Sequence, residues 1–196
     1  MKGHEGADEL TEKALGLNIE PGKILSVGLV SGMQVVGEKF RRNEIYLPDV
    51  LMSAKAMTAS MAHLKPFFQS GAVKRKGKVV IGTVAGDLHD IGKKIVGMFF
   101  EGGGWEVIDL GVDVTAEKFF GAIREHDPDA VGLSALLTTT MVNMEKITRE
   151  IKSSYPDVQV LIGGAPVTQT FGDRIGADAF FPDPQGALEY LNARIG

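Results

Sequence analysis

The stretch VVIGTVAGDLHDIGKKIVGMFF, residues 79–100, decides the fold. Its first six residues are too uniformly apolar to face water on either side, which is how a strand buried in a parallel sheet reads. The run stops at a turn holding Asp87, His89 and Asp90, and an amphipathic helical pattern begins near Asp90. In an open sheet built from such β-α units, ligands bind outside the carboxyl ends of the strands. The turn therefore lies where a ligand would be held.

Downstream, four more apolar runs (WEVIDLG, AVGLSAL, VQVLIGG and AFFP) alternate with amphipathic stretches starting near Thr115, Thr139, Thr168 and Pro184. Five strand-then-helix units predict an α/β domain over 79–196, a Rossmann-like, flavodoxin-type five-stranded parallel sheet. Upstream the period is helical. A short helix fits Asp8 to Leu17, a second follows Pro21-Gly22 as KILSVGLVSGMQVVGEKF, and a third starts at Pro48 and is disturbed at Pro66. We expect a small helical bundle over 1–72, a linker at 73–78 and the sheet domain beyond. The basic cluster KRKGK at 74–78 reads as solvated linker, and Gly102-Gly103-Gly104 as a helix stop.

The 196 residues suffice for one domain or two small ones, with 44% apolar and 23% charged residues, ordinary for a soluble protein. A net charge of −4 gives no reason to expect nucleic acid as a partner. There are no cysteines, which excludes disulfides, thiolate metal sites and a cysteine nucleophile. The start, MKGHEGADEL, is not a signal peptide, and no apolar run approaches the ~18–20 residues of a membrane span. A soluble, cytoplasmic protein is expected.

The segments after the strands are GDLHDIG, GVDV, SALLTTT, GGAP and FPDP. Three of them are rich in glycine and small hydroxyl residues, which suits a wide or extended ligand approaching the backbone. Asp90 fits a helix N-cap, leaving His89 merely exposed. GTVAGDLHDIG is not a G-x-G-x-x-G phosphate loop, and two carboxylates would repel a phosphate. A phosphoacceptor domain wants an acidic pair after the first strand and a lysine after the fifth, where FPDP stands. Zinc needs three or four ligands, and His4, His63 and His126 stand in no evident relation to His89. One histidine suffices for a metal already chelated by a macrocycle, with a carboxylate orienting the ring. From the turn alone, capping and ligation both stand.

Three motifs carry a resemblance. Asp87-x-His89-x-x-Gly92, 41 residues to Ser134-x-Leu136 and 26 more to Gly163-Gly164 resemble the cobalamin-binding signature D-x-H-x-x-G…S-x-L…G-G. VVGEKF and EIYLPDVLMSAKAM resemble the helical cap of cobalamin-dependent methionine synthase and the corrinoid proteins of methanol, methylamine and aryl methyl ether methyltransferase systems. The likeness spans about residues 8–196.

The resemblance implies a cobalamin or related corrinoid as cofactor, held base-off with His89 as the lower axial ligand of cobalt. Asp87 would orient that ring and, with Thr140, form a relay stabilising the protonated ring when cobalt releases it. The displaced base and its tail would enter the sheet beside Ser134, Leu136, Thr138 and Thr140, with Gly163 and Gly164 making room. Gly86, Leu88, Asp90 and Ile91 would form the floor under the corrin, Gly92 would let the helix start close beneath it, and Asp183 and Pro184 would touch its edge. Phe40 and Leu47, joined by Met33, would cap the upper face.

The implied function is a methyl-carrying corrinoid subunit rather than a complete enzyme. It would serve a substrate-specific methyltransferase and a second methyltransferase acting on tetrahydrofolate or a thiol, and a reductive activase would maintain it. The cap would swing away about the linker. Ser26 departs from the methionine synthase pattern, which has a glutamate there. The family's bundle has four helices and this chain begins near the second, so either three helices suffice or a partner or second protomer completes the bundle. The rival readings are a cobalamin-dependent regulatory sensor, which would add a DNA-reading module, and the small subunit of a mutase, which lacks the cap.

Overall fold

The computed structural model describes residues 6–195; His4 lies outside them. Helix α1 (Ala7–Gly16) ends where Asn18 takes a left-handed φ of 59°. Pro21 opens α2 (Pro21–Lys23), which passes through a π-helical segment (Ile24–Val30) into α3 (Ser31–Arg41) without a break. An ordinary helix was expected there, and the serines account for part of the difference. Ser31 Oγ donates to the Ser26 carbonyl five residues back at 3.0 Å, and Ser26 Oγ to that of Gly22 at 2.9 Å. Side-chain bonds of this kind compete with the regular backbone ladder.

Helix α4 (Leu47–Gln69) starts where Asp49 Oδ2 accepts the Tyr46 N–H at 3.0 Å. It runs on past Pro66, which the sequence reading had disturbing it. Pro66 withdraws one N–H, but the end of a helix has few later turns to lose. Leu25, Val30, Met33, Met57, Leu64 and Val73 form the core of this cap.

The α/β domain follows the expected order. It comprises β1 (Lys78–Thr83), α5 (Ile91–Gly102), β2 (Glu106–Asp109), α6 (Ala116–His126), β3 (Ala130–Ser134), α7 (Met141–Ser154), β4 (Gln159–Gly163), α8 (Gln169–Ile175), β5 (Ala179–Phe180) and α9 (Pro184–Ile195). The strands lie in the order β2-β1-β3-β4-β5, all parallel. This is the flavodoxin-like order, whose switch point lies between β1 and β3. Register sets Thr83, Ser134 and Gly163 abreast at the carboxyl edge. One face of the sheet packs on α6, α7 and α8, with Phe119, Met144 and Ile151 in the core. The other packs on α5 and α9 through Phe100, Trp105 and Leu191. The cap rests on this second layer, α3 on α5 and α9, and α4 on α5.

The basic cluster is not simply solvated. Arg75 donates to the Trp105 carbonyl at 3.0 Å and lies 4.7 Å from the Phe68 ring centroid; Lys76 reaches Asn192 at 2.9 Å and Lys78 the His126 carbonyl at 2.8 Å. Partial burial lowers the Lys76 pKa. Arg75 and Lys78 thus end on backbone carbonyls and Lys76 on a side-chain oxygen of α9's Asn192. The expected helix stop at 102–104 is present, and it is also a close approach. A Cβ on Gly103 would lie 2.3 Å from Leu188, and one on Gly102 2.8 Å from Met33.

Candidate functional site

The loop after β1 is organised around Asp87, which is fully buried. Its Oδ1 accepts the His89 backbone N–H at 3.1 Å and lies 2.7 Å from His89 Nδ1. Its Oδ2 accepts the backbone N–H of Leu136 at 2.7 Å, that of Leu137 at 3.1 Å and the Thr140 hydroxyl at 2.9 Å. Thr140 Oγ1 also lies 2.8 Å from the Leu137 carbonyl. It has one proton for two acceptors, and the charged one binds it more strongly. Burial pushes the Asp87 carboxyl up, but the N–H groups of His89 and Leu136, the His89 ring and Thr140 outweigh it and hold the group well below the usual carboxylate range.

An ionised Asp87 can only accept. Nδ1 of His89 therefore carries a proton, and the lone pair belongs to Nε2, on the far side of the ring from Asp87. The His89 side chain is 51% exposed. Around it Leu88, Ile91 and Leu136 stand 72%, 67% and 44% exposed, a group of apolar side chains that a soluble surface would otherwise hide. Among the described residues no three His, Asp or Glu side chains converge as a metal cage, so the turn offers one nitrogen ligand. Asp90 precedes α5 as expected, yet its carboxylate pairs with Lys94 at 2.5 Å instead of capping the helix.

Beside the turn a cavity of about 540 Å³ opens between the sheet and α5/α9, within the ~300–1,000 Å³ range of small-molecule sites. Its depth is apolar, with Ile81, Gly132 and Leu161 of three adjacent strands and Phe100 of α5, and Ser134, Gly163, Gly164 and Gly92 line its strand-end rim. The two glycines after β4 have different reasons. A Cβ on Gly163 would make only ordinary contact, 3.7 Å from the Phe181 carbonyl, so that space is free for a ligand. A Cβ on Gly164 would lie 1.8 Å from the Ala135 carbonyl, and its φ is +130°. Gly164 makes room for the neighbouring loop, not for a ligand. Nothing lies within 4 Å of a Cβ on Gly92. An apolar slot, an outward nitrogen lone pair and an unfilled space over Gly92 fit a large planar group with an appended tail.

The other expected residues are spread more widely. Gly86, with φ 82°, belongs to the turn itself, and Thr138 is exposed on the loop that carries Thr140. Asp183 Oδ1 accepts from Arg41 Nε at 3.2 Å and from the Gly186 N–H at 2.9 Å, so its charge is engaged by the cap. Pro184 lines the cavity and begins α9. Phe40 lines the cavity rim and stacks obliquely on Phe99, centroids 6.4 Å apart. Leu47, half-buried, is the first residue of α4. Met33 is buried in the cap core against Gly102 and does not join Phe40 at the rim. Ser26 turns its hydroxyl back into its own helix.

A B12-binding-domain model matches residues 77–191, and a second B12-binding-domain model matches residues 4–65. The chain belongs to the B12-binding family. This B12-binding protein takes a cobalamin or related corrinoid as its cofactor. It is 40% identical over 193 residues to a corrinoid protein of Desulfitobacterium hafniense, covering 96% of this chain and 89% of the relative. It is 42% identical over 180 residues to trimethylamine corrinoid protein 1 of Methanosarcina acetivorans, covering 90% and 83%. Its structure matches a chain of the methanol:cobalamin methyltransferase complex of Methanosarcina barkeri with a TM-score of 0.86 and 31% identity, covering 98% of this chain and 74% of that one.

Three residues around the turn went unread in the sequence. Thr83 Oγ1 donates to the His89 carbonyl at 3.0 Å, Asp113 Oδ1 accepts the Gly86 N–H at 2.7 Å, and Asn143 Nδ2 donates to the Ala85 carbonyl at 2.7 Å. GVDV was recognisable as a post-strand segment, but nothing in it pointed across to Gly86. Arg41 left no local signal at all.

Proposed function

We propose that this B12-binding protein carries a methyl group on cobalt between a substrate-specific methyltransferase and a second methyltransferase that passes it to tetrahydrofolate or a thiol. His89 Nε2 would hold the cobalt of the corrinoid, taking the place of the cofactor's own base. The bound corrinoid supplies a cobalt that accepts and gives up methyl groups. The observation that carries the reading is the 2.7 Å pair between buried Asp87 and His89 Nδ1, which leaves Nε2 as a free donor on a half-exposed ring. Relatives named as corrinoid proteins of methylamine systems, and a structural match from a methanol:cobalamin methyltransferase complex, support it.

The residues of the turn have distinct tasks in this reading. Asp87 fixes the tautomer. Its other oxygen, held by two backbone N–H groups and Thr140, keeps it ionised. Whether or not Nε2 is engaged, Asp87 would keep hold of Nδ1–H and so keep the ring in place. The slot beside Ser134 and Gly163 would take the cofactor's base and tail. Phe40 and Leu47 belong to a cap that moves aside for each methyltransferase and for a reductive activase. The pinned 73–78 segment makes that motion one that breaks defined contacts.

Electron paramagnetic resonance tests the ligation. The full chain, loaded with hydroxocobalamin and reduced to Co(II), should show splitting from one axial nitrogen. Labelling the histidines with nitrogen-15 should turn each triplet into a doublet. Triplets that persist with labelled protein would place another nitrogen on cobalt and sink the assignment. Methyl transfer from candidate methylamines or methanol, with paired methyltransferases, tests the carrier role.

A further inference from the structure

We infer that Asp113 is a positioning residue for His89, acting by gripping the Gly86–Asp87 turn from the loop after β2. The inference rests on reading His89 as the lower ligand of cobalt. The segment 85–89 belongs to no strand or helix, so its backbone groups must find partners elsewhere. Asp87 N–H finds the Val84 carbonyl at 3.1 Å, a local bond. Asp113 supplies two bonds from outside. Its Oδ1 accepts the Gly86 N–H at 2.7 Å, and its own N–H donates to the Asp87 carbonyl at 3.1 Å. One residue thus holds two consecutive residues of the turn, and the second of them carries the carboxylate that orients the imidazole.

Asp113 reaches both bonds by adopting a left-handed backbone, φ 53°, unusual outside glycine. The neighbouring Val114 bridges to Val84, which fixes the loop at the level of the turn. Gly86, at φ 82°, has little of its own to hold it; a Cβ there would meet nothing nearer than Thr140 Cγ2 at 3.6 Å. If Asp113 let go, the backbone leading into Asp87 and His89 would gain freedom at Gly86, although the Asp87 carboxylate keeps its bonds to Leu136, Leu137 and Thr140.

A merely structural task, ending β2, is already done by other residues. Asp109 Oδ1 accepts the Gly111 N–H at 2.8 Å, and Lys93 Nζ donates to the Gly111 carbonyl at 2.7 Å. Those contacts secure the end of β2 without Asp113. What Asp113 adds is the connection to the ligand turn.

Asp113→Gly and Asp113→Asn separate the bond from the backbone. Both residues adopt the left-handed region readily, but only asparagine keeps an acceptor for the Gly86 N–H. In the full chain loaded with hydroxocobalamin and reduced to Co(II), the axial-nitrogen splitting gives the ratio of His-ligated to unligated cobalt. Asp113→Gly should lower that ratio about tenfold, the low end for a bond to a charged group at an exposed site. Asp113→Asn should restore most of it. In the cofactor-free protein the His89 Nδ1–H proton resonance should be visible in Asp113→Asn and broadened by exchange in Asp113→Gly. An unchanged ratio and an unchanged resonance in Asp113→Gly would overturn the inference. If nitrogen-15-labelled histidine leaves the triplets unchanged, it is the ligand assignment that fails, whereas the resonance still reports on Asp113.

Discussion

Replacing Arg41 with methionine should loosen the cap, because Arg41 ties the end of α3 to α9. Its Nη2 lies 3.0 Å and its Nη1 3.4 Å from the Glu189 carboxylate, and its Nε lies 3.2 Å from Asp183 Oδ1. The pair with Glu38 stays within α3 and is lost without consequence for the interface. The Arg41 side chain is 34% exposed, so solvent screens these contacts. Exposed pairs contribute about 0.2–1 kcal/mol each, and the forked pair with Glu189 belongs near the top of that range. Two cross-domain pairs therefore hold the cap by about 1–2 kcal/mol, or roughly a 5- to 30-fold bias towards closure. The hydrogen bond to Glu189 raises the Arg41 pKa; burial pushes Glu189 up, but Arg41 and Gln185 draw it below its ordinary value. With a depressed carboxyl, the tie is complete above the ordinary glutamate value of about 4.3 and fades as pH falls through the lowered one. Amide hydrogen exchange over α3 and α9 should speed up by the same factor in Arg41→Met, and hydroxocobalamin should load faster. Added salt or acid should speed exchange in the parent and barely in the variant. Exchange within about twofold of the parent in both segments would refute the latch.

Gly164→Ala should severely destabilise or abolish folding, since the new methyl collides with the Ala135 carbonyl in a backbone region closed to alanine; a urea midpoint near the parent's would contradict the close approach. Gly92→Ala has the opposite signature. The space is open, so stability should hold or rise by up to about 1 kcal/mol, while corrinoid affinity falls in an absorbance titration; undiminished affinity would remove Gly92 from the cofactor's floor. Asp87→Asn leaves one acceptor oxygen where two are used, so its NH2 must face either the N–H groups of Leu136 and Leu137 or those of His89, and should destabilise by about 1–3 kcal/mol near neutral pH. Because the native carboxyl is depressed, the parent's advantage should be complete above about pH 4 and shrink as pH falls further. Parallel urea curves with a constant gap down to strongly acid pH would argue against it.

The β-α alternation from Val79 onward was legible because each strand and helix advertises itself within a dozen residues. The helix starts near Thr115, Thr139, Thr168 and Pro184 fall within two residues of those observed. Asp87, His89 and Thr140 were grouped only through the resemblance to the cobalamin-binding pattern, and the structure joins Asp87 to both of the others. Pro66 misled, because a proline penalty depends on how much helix follows it. The π-helical segment left no period of its own. KRKGK read as solvated because its acceptors lie in Trp105, His126 and Asn192.

By itself the sequence determined where strands end and which residues stand there, among them one histidine with a carboxylate two residues earlier. Tertiary structure alone decided the supports. Arg41 meets Asp183 across 142 positions, Asp113 reaches Gly86 across 27, and Gly164 owes its identity to a carbonyl of another strand's loop. Local patterns follow from the backbone periods of helix and strand, which act over a few residues. Contacts between distant segments depend on how whole layers pack, and no short window of sequence contains that distance.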